Sequence, residues 1–421
     1  MPPPLSLAEA VHRATSGTAV VAVAEARADA SRARVTETRG ALLPSLSAGG
    51  LWLNRSFNLK TFGLQFPTLP GQAPLPDLVA PFTSVDGRIT ATWNVFDYSS
   101  VLRLKAAGAG VLTSDADRDA ASEGAAAMAG MAYVRAARGR AAVQAREDDA
   151  ALSRELVGLA QSQVEAGVSA AIDVTRAQTQ LAQAEGALLV ARNEAERAQI
   201  DLARAMGADP AMRYALTDTL ASTLAMSSAP TERTAAIQAA LRQRPDLNAE
   251  IQRASRAALD RSAVGAERLP KLGLAADWGY SGLNVSDAIA TRQVAVQVTV
   301  PLLDGFRREG RIAEADAAER ESDARRRDLE QQVAADVGTA LLDIESAGQQ
   351  EAVAARRVAL AQDELAQARD RFQTGVAGNI EVIDAQSSLV RARDAVLDAR
   401  TQAATARIRL ARAVGSAATL H

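Results

Sequence analysis

Two stretches of the chain share one pattern of small apolar residues. Each places an apolar residue, mostly alanine, at alternating intervals of three and four: Leu181, Ala184, Leu188, Ala191, Ala195, Ala198, Leu202 and Ala205, then Leu389, Ala392, Val396, Ala399, Ala403, Ala406, Leu410 and Ala413. This spacing is the heptad pattern of helices that pack along a continuous seam. Because most of the seam positions are alanine, the predicted helices approach one another closely.

The residues around the two seams also correspond. Gly167-Val168 precedes the first seam and Gly375-Val376 precedes the second. The seams end in matching tails, Arg204-Ala205-Met206-Gly207 and Arg412-Ala413-Val414-Gly415, about 208 residues apart. Repetition on this scale predicts two homologous halves, residues 1–215 and 216–421, each a large supersecondary unit.

Each half is predicted to contain the same elements in the same order. The first half has a helix over 8–42 with a weak point near Thr15-Ser16-Gly17, strands over 45–57 and 84–96, and long helices over 98–166 and 170–206. The second has a helix over 232–268, interrupted at Arg244-Pro245-Asp246-Leu247, strands over 271–281 and 291–301, and long helices over 306–372 and 380–414. A proline-rich loop is predicted over 58–83 and a polar linker over about 207–230. The predicted fold class is mainly α with a small β part.

The strands alternate apolar and polar residues, so each has one face of each kind. The three tryptophans of the chain, Trp52, Trp93 and Trp278, lie on apolar faces, as does Tyr280. In a water-soluble domain these faces would need a second layer of structure to cover them. Strands of a transmembrane barrel instead turn the apolar face to lipid and place aromatics near the membrane interfaces. Four strands are too few to close a barrel, so several chains are expected to share one.

Composition and charge exclude several classes of protein. Hydrophobic residues make up 48% of the chain but aromatics only 3%, which favours long, closely packed helices over a bulky core. The formal net charge of −3, with mixed signs, gives no reason to expect nucleic acid binding. With no cysteine and two histidines at opposite ends, we expect no disulfide, cofactor or metal, and no set of residues has catalytic spacing. No apolar run is long enough for a transmembrane helix, and residues 1–17 do not read as an export leader.

In its order of motifs, the chain resembles the TolC outer-membrane efflux protein family over essentially its whole length. The resemblance rests on the doubled heptads and turns, the two Leu-Pro steps into strands, and three motifs: Leu5-Ser6-Leu7-Ala8-Glu9-Ala10, Ala240-Leu241 with Arg244-Pro245-Asp246-Leu247, and Val300-Pro301-Leu302-Leu303-Asp304-Gly305 followed by Arg307. It implies a homotrimer with a twelve-stranded barrel in the outer membrane and a helical tunnel in the periplasm. It also implies a periplasmic adaptor and an inner-membrane transporter as partners, and the Arg-Pro-Asp-Leu motif favours members that serve proton-driven exporters.

The same resemblance assigns roles to residues near the two turns. It implies that acids at the positions of Glu381 and Asp384, and of Asp173 in the first half, ring a closed periplasmic gate. The alternative is that these acids only complement the positive end of a helix dipole. Family members often carry a basic residue two positions after the turn glycine, where this chain has Ala377.

The turns themselves are expected to be tight because glycine permits the backbone conformation that such turns need. The resemblance further implies that Gly167, Val168, Gly375 and Val376 dock the adaptor, and the two interpretations are compatible. Near the strands, Asp97 and Asp304 are expected to cap helices. Asp86, Arg88 and Asp277 lie on polar strand faces, where they either tune selectivity or are simply solvated.

The function predicted from the sequence is passive conduction through an outer-membrane exit duct of a tripartite efflux or secretion machine. The alternative is a soluble coiled-coil scaffold, which the long helices would also suit. The exposed valine rows of the strands count against the alternative because such strands would aggregate in water. An enzyme is a more distant possibility.

Overall fold

The computed structural model describes residues 2–63, 77–220, 230 and 232–420. Its helices are α1 (Leu7–Gly17), α2 (Ala19–Gly40), α3 (Tyr98–Glu165), α4 (Ala171–Ala205), α5 (Arg233–Gln243), α6 (Pro245–Ala266), α7 (Arg307–Gln373) and α8 (Asn379–Val414). Its strands are β1 (Pro4–Leu5), β2 (Ser45–Asn58), β3 (Leu78–Phe96), β4 (Ala215–Leu216), β5 (Lys271–Gly282) and β6 (Ile289–Thr299). The described chain is mainly helical with a smaller strand part, and α3 and α7 contain 68 and 67 residues.

Two helical segments with a weak point or interruption in the sequence are each divided at one residue. The helix expected over 8–42 is interrupted at Thr18, whose backbone is extended and whose hydroxyl donates to the Ala14 carbonyl at 2.9 Å. The helix expected over 232–268 is interrupted at Arg244. A proline disfavours the helical conformation of the residue before it, here Arg244. Proline itself suits the first position of a helix, so α6 begins at Pro245.

The proline-rich loop expected over 58–83 is wrong at its second boundary, because β3 already begins at Leu78 and includes Pro81. Proline is tolerated there because β5 pairs with β3 only from Val85 onward, which leaves that side of β3 without a ladder at Pro81. Residues 64–76 of the expected loop, which include Pro67, Pro70, Pro74 and Pro76, lie outside the described residues. So do residues 221–229 of the expected polar linker, whereas β4 lies within its described part.

The chain folds into two compact units. The first comprises residues 1–29, 112–252 and 323–421, and the second comprises residues 30–111 and 253–322. In the first unit, the two-stranded parallel sheet of β1 and β4 lies against helices. The hydroxyl of the fully buried Tyr133 lies 3.0 Å from the Leu5 carbonyl and 2.8 Å from the Asp218 carboxylate, so this side chain fixes both strands to α3.

The second unit contains a four-stranded antiparallel sheet in the order β2-β3-β5-β6. Trp52 pairs with Val85, Ile89 with Trp278, and Trp93 with Leu274. The pairing therefore brings the apolar faces of the separate strands onto one side of the sheet and the polar faces onto the other. Among the described residues, no helix is both long and apolar enough to cross a membrane.

Candidate functional site

Two helical turns of the first unit adopt the same backbone conformation. Gly167, after α3, has φ +71°, and Gly375, after α7, has φ +70°. In both turns the next residue donates its amide to a carbonyl five positions back, Val168 to Gln163 at 3.0 Å and Val376 to Arg371 at 2.9 Å. Glycine occupies this left-handed region without steric cost, which explains its place in both turns.

The two turns lie side by side. The Val168 side chain packs against Gly375. The Asn379 side-chain amide donates to the Asp173 carbonyl at 2.9 Å, which joins the start of α8 to the start of α4. Around this contact, four apolar residues at equivalent positions of the two turns are at least half exposed: Val168, Ile172, Val376 and Ile380. The turns therefore form one surface, which we call the double tip.

The three acids expected at the gate differ in their contacts and exposure. The carboxylate of Asp173 is largely buried, accepts a hydrogen bond from the Ser169 hydroxyl at 2.6 Å and lies 3.4 Å from Arg176. These contacts hold it within its own turn. Glu381 and Asp384 are both exposed.

Glu381 and Asp384 differ in their local surroundings. Glu381 lies in the first turn of α8 and forms an exposed ion pair with Arg371 at 3.4 Å. Helix-dipole complementarity accounts for an acid at this position. It accounts less well for Asp384, which lies one turn further along, because the dipole effect falls off within the first turn. Asp384 also forms no ion pair with another described residue.

A buried polar row runs along α8 and was not recognised from the sequence. Asn379 and Gln386 are buried, and the Gln386 amide donates to the Ser153 hydroxyl of α3 at 2.7 Å. One heptad further, Arg393 pairs at 2.8 Å with Asp149, which is also buried. The spacing of seven residues was visible in the sequence, but polar residues at that spacing usually mark an exposed helix face. Burial raises the pKa of Asp149 above its ordinary value, and this effect outweighs the opposing effect of Arg146 and Arg393.

The polar face of the sheet carries a three-residue ionic cluster. The Arg88 guanidinium donates to Asp86 through Nε at 2.6 Å and to Asp277 of the next strand through Nη1 at 2.8 Å. At the end of β3, Asp97 accepts from the Ser99 amide at 3.1 Å, which confirms the expected cap of α3, and pairs with Lys271 at 2.9 Å.

The expected cap at Asp304 is wrong. Helix α7 begins three residues later, at Arg307, after Phe306, which has a positive φ of 64°. Two residues in left-handed conformation, Gly305 and Phe306, separate Asp304 from the helix. No described amide of α7 donates to its carboxylate, which lies 3.4 Å from Arg308 instead.

The apolar face of the sheet carries the four expected aromatics, Trp52, Trp93, Trp278 and Tyr280, at exposures from 38% to 68%. Val294, Val296 and Val298 extend this face along β6 and are also exposed. Trp93 donates its indole N–H to the Leu42 carbonyl at 3.0 Å. The single chain thus presents a mainly apolar surface that nothing within the described second unit covers.

Comparisons with known proteins agree with this arrangement. The family model for the outer membrane efflux protein matches residues 10–208 and 236–416. Among proteins with curated functions, none matches the sequence at a significant level.

Solved structures show the same fold. The outer-membrane channel OprN is 20% identical, with a TM-score of 0.80 over 97% of this chain and 90% of its own. CusC is 18% identical, with a TM-score of 0.84 over 97% and 91%. The outer membrane protein VceC from Vibrio cholerae is 18% identical, with a TM-score of 0.81 over 97% and 96%. The resemblance inferred from the sequence motifs is confirmed: the chain belongs to the outer membrane efflux protein family and serves as an exit duct in the outer membrane.

Proposed function

We propose that three copies of the chain share one twelve-stranded barrel in the outer membrane and continue it as a helical tunnel in the periplasm. The observation that carries this proposal is the four-stranded sheet with one uncovered apolar face. Membrane barrels begin at about eight strands, so one sheet is too small to close. Strands β2 and β6 form the two edges of the sheet, and pairing β6 of one copy with β2 of the next would leave no edge exposed.

The duct carries out no chemistry of its own and conducts passively, and an inner-membrane transporter supplies the energy. A periplasmic adaptor joins the two and binds the double tip, whose four exposed apolar residues suit a protein partner. Residues 1–215 and 216–421 form the two structural repeats. The same sequence of helices, two strands and two long helices in each half supports this division.

The oligomer is tested with purified protein in mild detergent. The expected result is a single species with three chains, measured by light scattering coupled to size exclusion. A monodisperse single chain of 44.0 kDa would overturn the shared barrel. In a planar bilayer, the trimer is expected to conduct ions.

Glu381 and Asp384 form the periplasmic gate in this proposal, as six carboxylates around the axis of the trimer. Their exposure, and the position of Asp384 beyond the first turn of α8, support this role. Asp173 contributes to the local turn, because Ser169 and Arg176 already hold its carboxylate. A ring of carboxylates favours cations and repels anions.

The gate is tested by converting both acids to alanine and measuring reversal potential and conductance. The expected result is loss of cation preference, and lysine at both positions should favour anions. The matched control is Asp398→Ala, which removes one exposed carboxylate from the same helix away from the turn, where it pairs with Arg138 at 2.7 Å. Unchanged reversal potentials in both double variants, with normal trimers, would exclude these acids as the ring.

A further inference from the structure

The ionic cluster on the polar face of the sheet is held in a fixed arrangement. Both carboxylates bind the same guanidinium: Asp86 lies two residues before Arg88 in β3, and Asp277 lies on β5. All three side chains are about one-third exposed or less. A guanidinium that binds two carboxylates through separate N–H groups is restricted in direction, unlike a lysine ammonium.

The sheet leaves room for this arrangement at Gly279, which pairs directly with Arg88. A Cβ at Gly279 would lie 2.3 Å from the Gly87 carbonyl oxygen and 2.4 Å from the Arg88 Cβ, so no side chain fits there. Asp277 pairs with Thr90, so it lies diagonally from Arg88, with only Gly279 directly opposite. The guanidinium can therefore cross to β5 without obstruction.

The cluster does not balance its own charge. Two carboxylates and one guanidinium leave one negative charge per chain. Lys271, which also lies on this face, is already paired with Asp97. The residues around the cluster on the polar face are neutral, among them Thr90, Thr92 and Gln293.

We propose that Asp86, Arg88 and Asp277 set the ion selectivity of the barrel section of the duct, separately from the periplasmic gate. This inference rests on the proposed function, since it needs the polar face of three sheets to line one lumen. Arg88 holds the net charge of the ring at minus one per chain, so the barrel prefers cations weakly. Solute cations, including cationic organic compounds, are the class that this ring favours.

The inference is tested with four variants of the full chain, purified as trimers and measured in planar bilayers under a salt gradient. Arg88→Gln leaves two carboxylates and should raise the cation-to-anion permeability ratio by about twofold or more. Asp86→Asn with Asp277→Asn leaves only the guanidinium and should reverse the preference. Arg88→Lys keeps the charge but loses the bidentate geometry, and should keep the wild-type ratio even where the trimer is less heat-stable.

The matched control is Arg292→Gln on β6. Arg292 pairs with Trp278 and therefore belongs to the apolar face, so removing its charge should leave the ratio unchanged. The effects at Arg88 should also grow as salt is lowered from 1 M to 0.01 M, because the screening length rises from about 3 Å to about 30 Å. A purely structural role for Arg88 would change thermal stability without this dependence on salt.

The outcomes separate the two proposals. Intact, conducting trimers of Arg88→Gln and of the double asparagine variant with the wild-type ratio would overturn the role of the cluster while leaving the duct in place. An equal shift in Arg292→Gln would also overturn it, because the effect would then not depend on the face. If Arg88→Gln does not assemble, the double asparagine variant and Arg88→Lys decide. A wild-type protein that is neither trimeric nor conducting would overturn the proposed function itself.

Discussion

Two glycines with the same backbone conformation should differ greatly in their response to alanine. Gly167 and Gly207 have φ +71° and +70°, so a Cβ is strained at both. Around Gly167, no atom of a described residue other than its two chain neighbours lies within 4 Å of an added Cβ. At Gly207 the same atom would lie 2.3 Å from the Gly17 carbonyl oxygen and 2.8 Å from the Gly17 carbonyl carbon.

The expected magnitudes follow from these distances. The left-handed conformation costs an alanine about 1 kcal/mol, which is all that Gly167→Ala should lose. Gly207→Ala adds the displacement of a backbone segment at the break between α1 and α2, which costs about 1–3 kcal/mol more. A change of 1 kcal/mol lowers the Tm of a domain of 150–250 residues by roughly 2–4 °C. We therefore expect a Tm decrease of about 2–4 °C for Gly167→Ala and about 4–16 °C for Gly207→Ala.

The assay is far-ultraviolet circular dichroism of the purified protein in detergent during heating. The matched control is Gly158→Ala, inside α3, where no neighbouring atom restricts a Cβ and the backbone is helical. That change should raise stability by up to about 1 kcal/mol, since alanine favours helix over glycine. Equal losses for Gly167→Ala and Gly207→Ala would refute the reasoning, because it would mean that the close approach to Gly17 does not decide the cost.

Three further stability predictions concern the first unit. Tyr133→Phe should lower the free energy of unfolding by about 1–2 kcal/mol, because the Tyr133 phenol is hydrogen-bonded to Leu5 and Asp218. Burial raises the pKa of this phenol to about 12. Equal melting curves for the variant and the wild type would contradict this prediction. Burial opposes ionisation of Asp246, but the hydrogen bonds and charge of Arg244 lower the pKa of this carboxyl overall. The ionised Asp246 therefore stabilises the fold above the unfolded-state pKa of about 3.9, and this stabilisation is lost as pH falls through the folded-state pKa. The stability difference between wild type and Asp246→Asn in pH-dependent denaturation should accordingly shrink below about pH 4. Ser153→Ala should lower the free energy of unfolding by about 1–2 kcal/mol, because it leaves the buried Gln386 amide unpaired. Ser153→Ala combined with Gln386→Leu should be nearly neutral in the same melts. Equal losses of stability in the single and double variants would contradict the pairing.

The long helices and the two faces of the strands were predictable because each depends on a local period. Helix α3 was expected over 98–166 and spans Tyr98–Glu165, since this stretch contains hardly a helix breaker. The start of β3 is not predictable in this way, because Pro81 within a strand resembles a loop signal. Its tolerance depends on where β5 stops pairing, which is a property of the whole sheet.

In the candidate sites too, features set by the local backbone are predictable from sequence, whereas contacts between distant residues are not. The turn glycines were found from sequence because a left-handed backbone conformation selects glycine locally. The ion pair between the buried Asp149 and the half-buried Arg393 joins residues far apart in the chain, and only the packing of α3 against α8 reveals it. The different surroundings of Asp173 and Glu381 likewise depend on neighbouring side chains, although both acids stand six positions after a turn glycine.

The chain exposes two kinds of apolar surface, and their composition suits different partners. On the sheet, the apolar face is broad and combines valines with tryptophans, and a fluid hydrocarbon can cover such a surface without specific fit. At the double tip, four aliphatic side chains lie close to charged groups such as Glu381 and Arg371. A lipid chain could not satisfy those charges, whereas a protein can place polar groups around a small apolar contact. The two surfaces are therefore suited to membrane at one and to a protein partner at the other, which is the division of contacts that a duct joined to a pump requires.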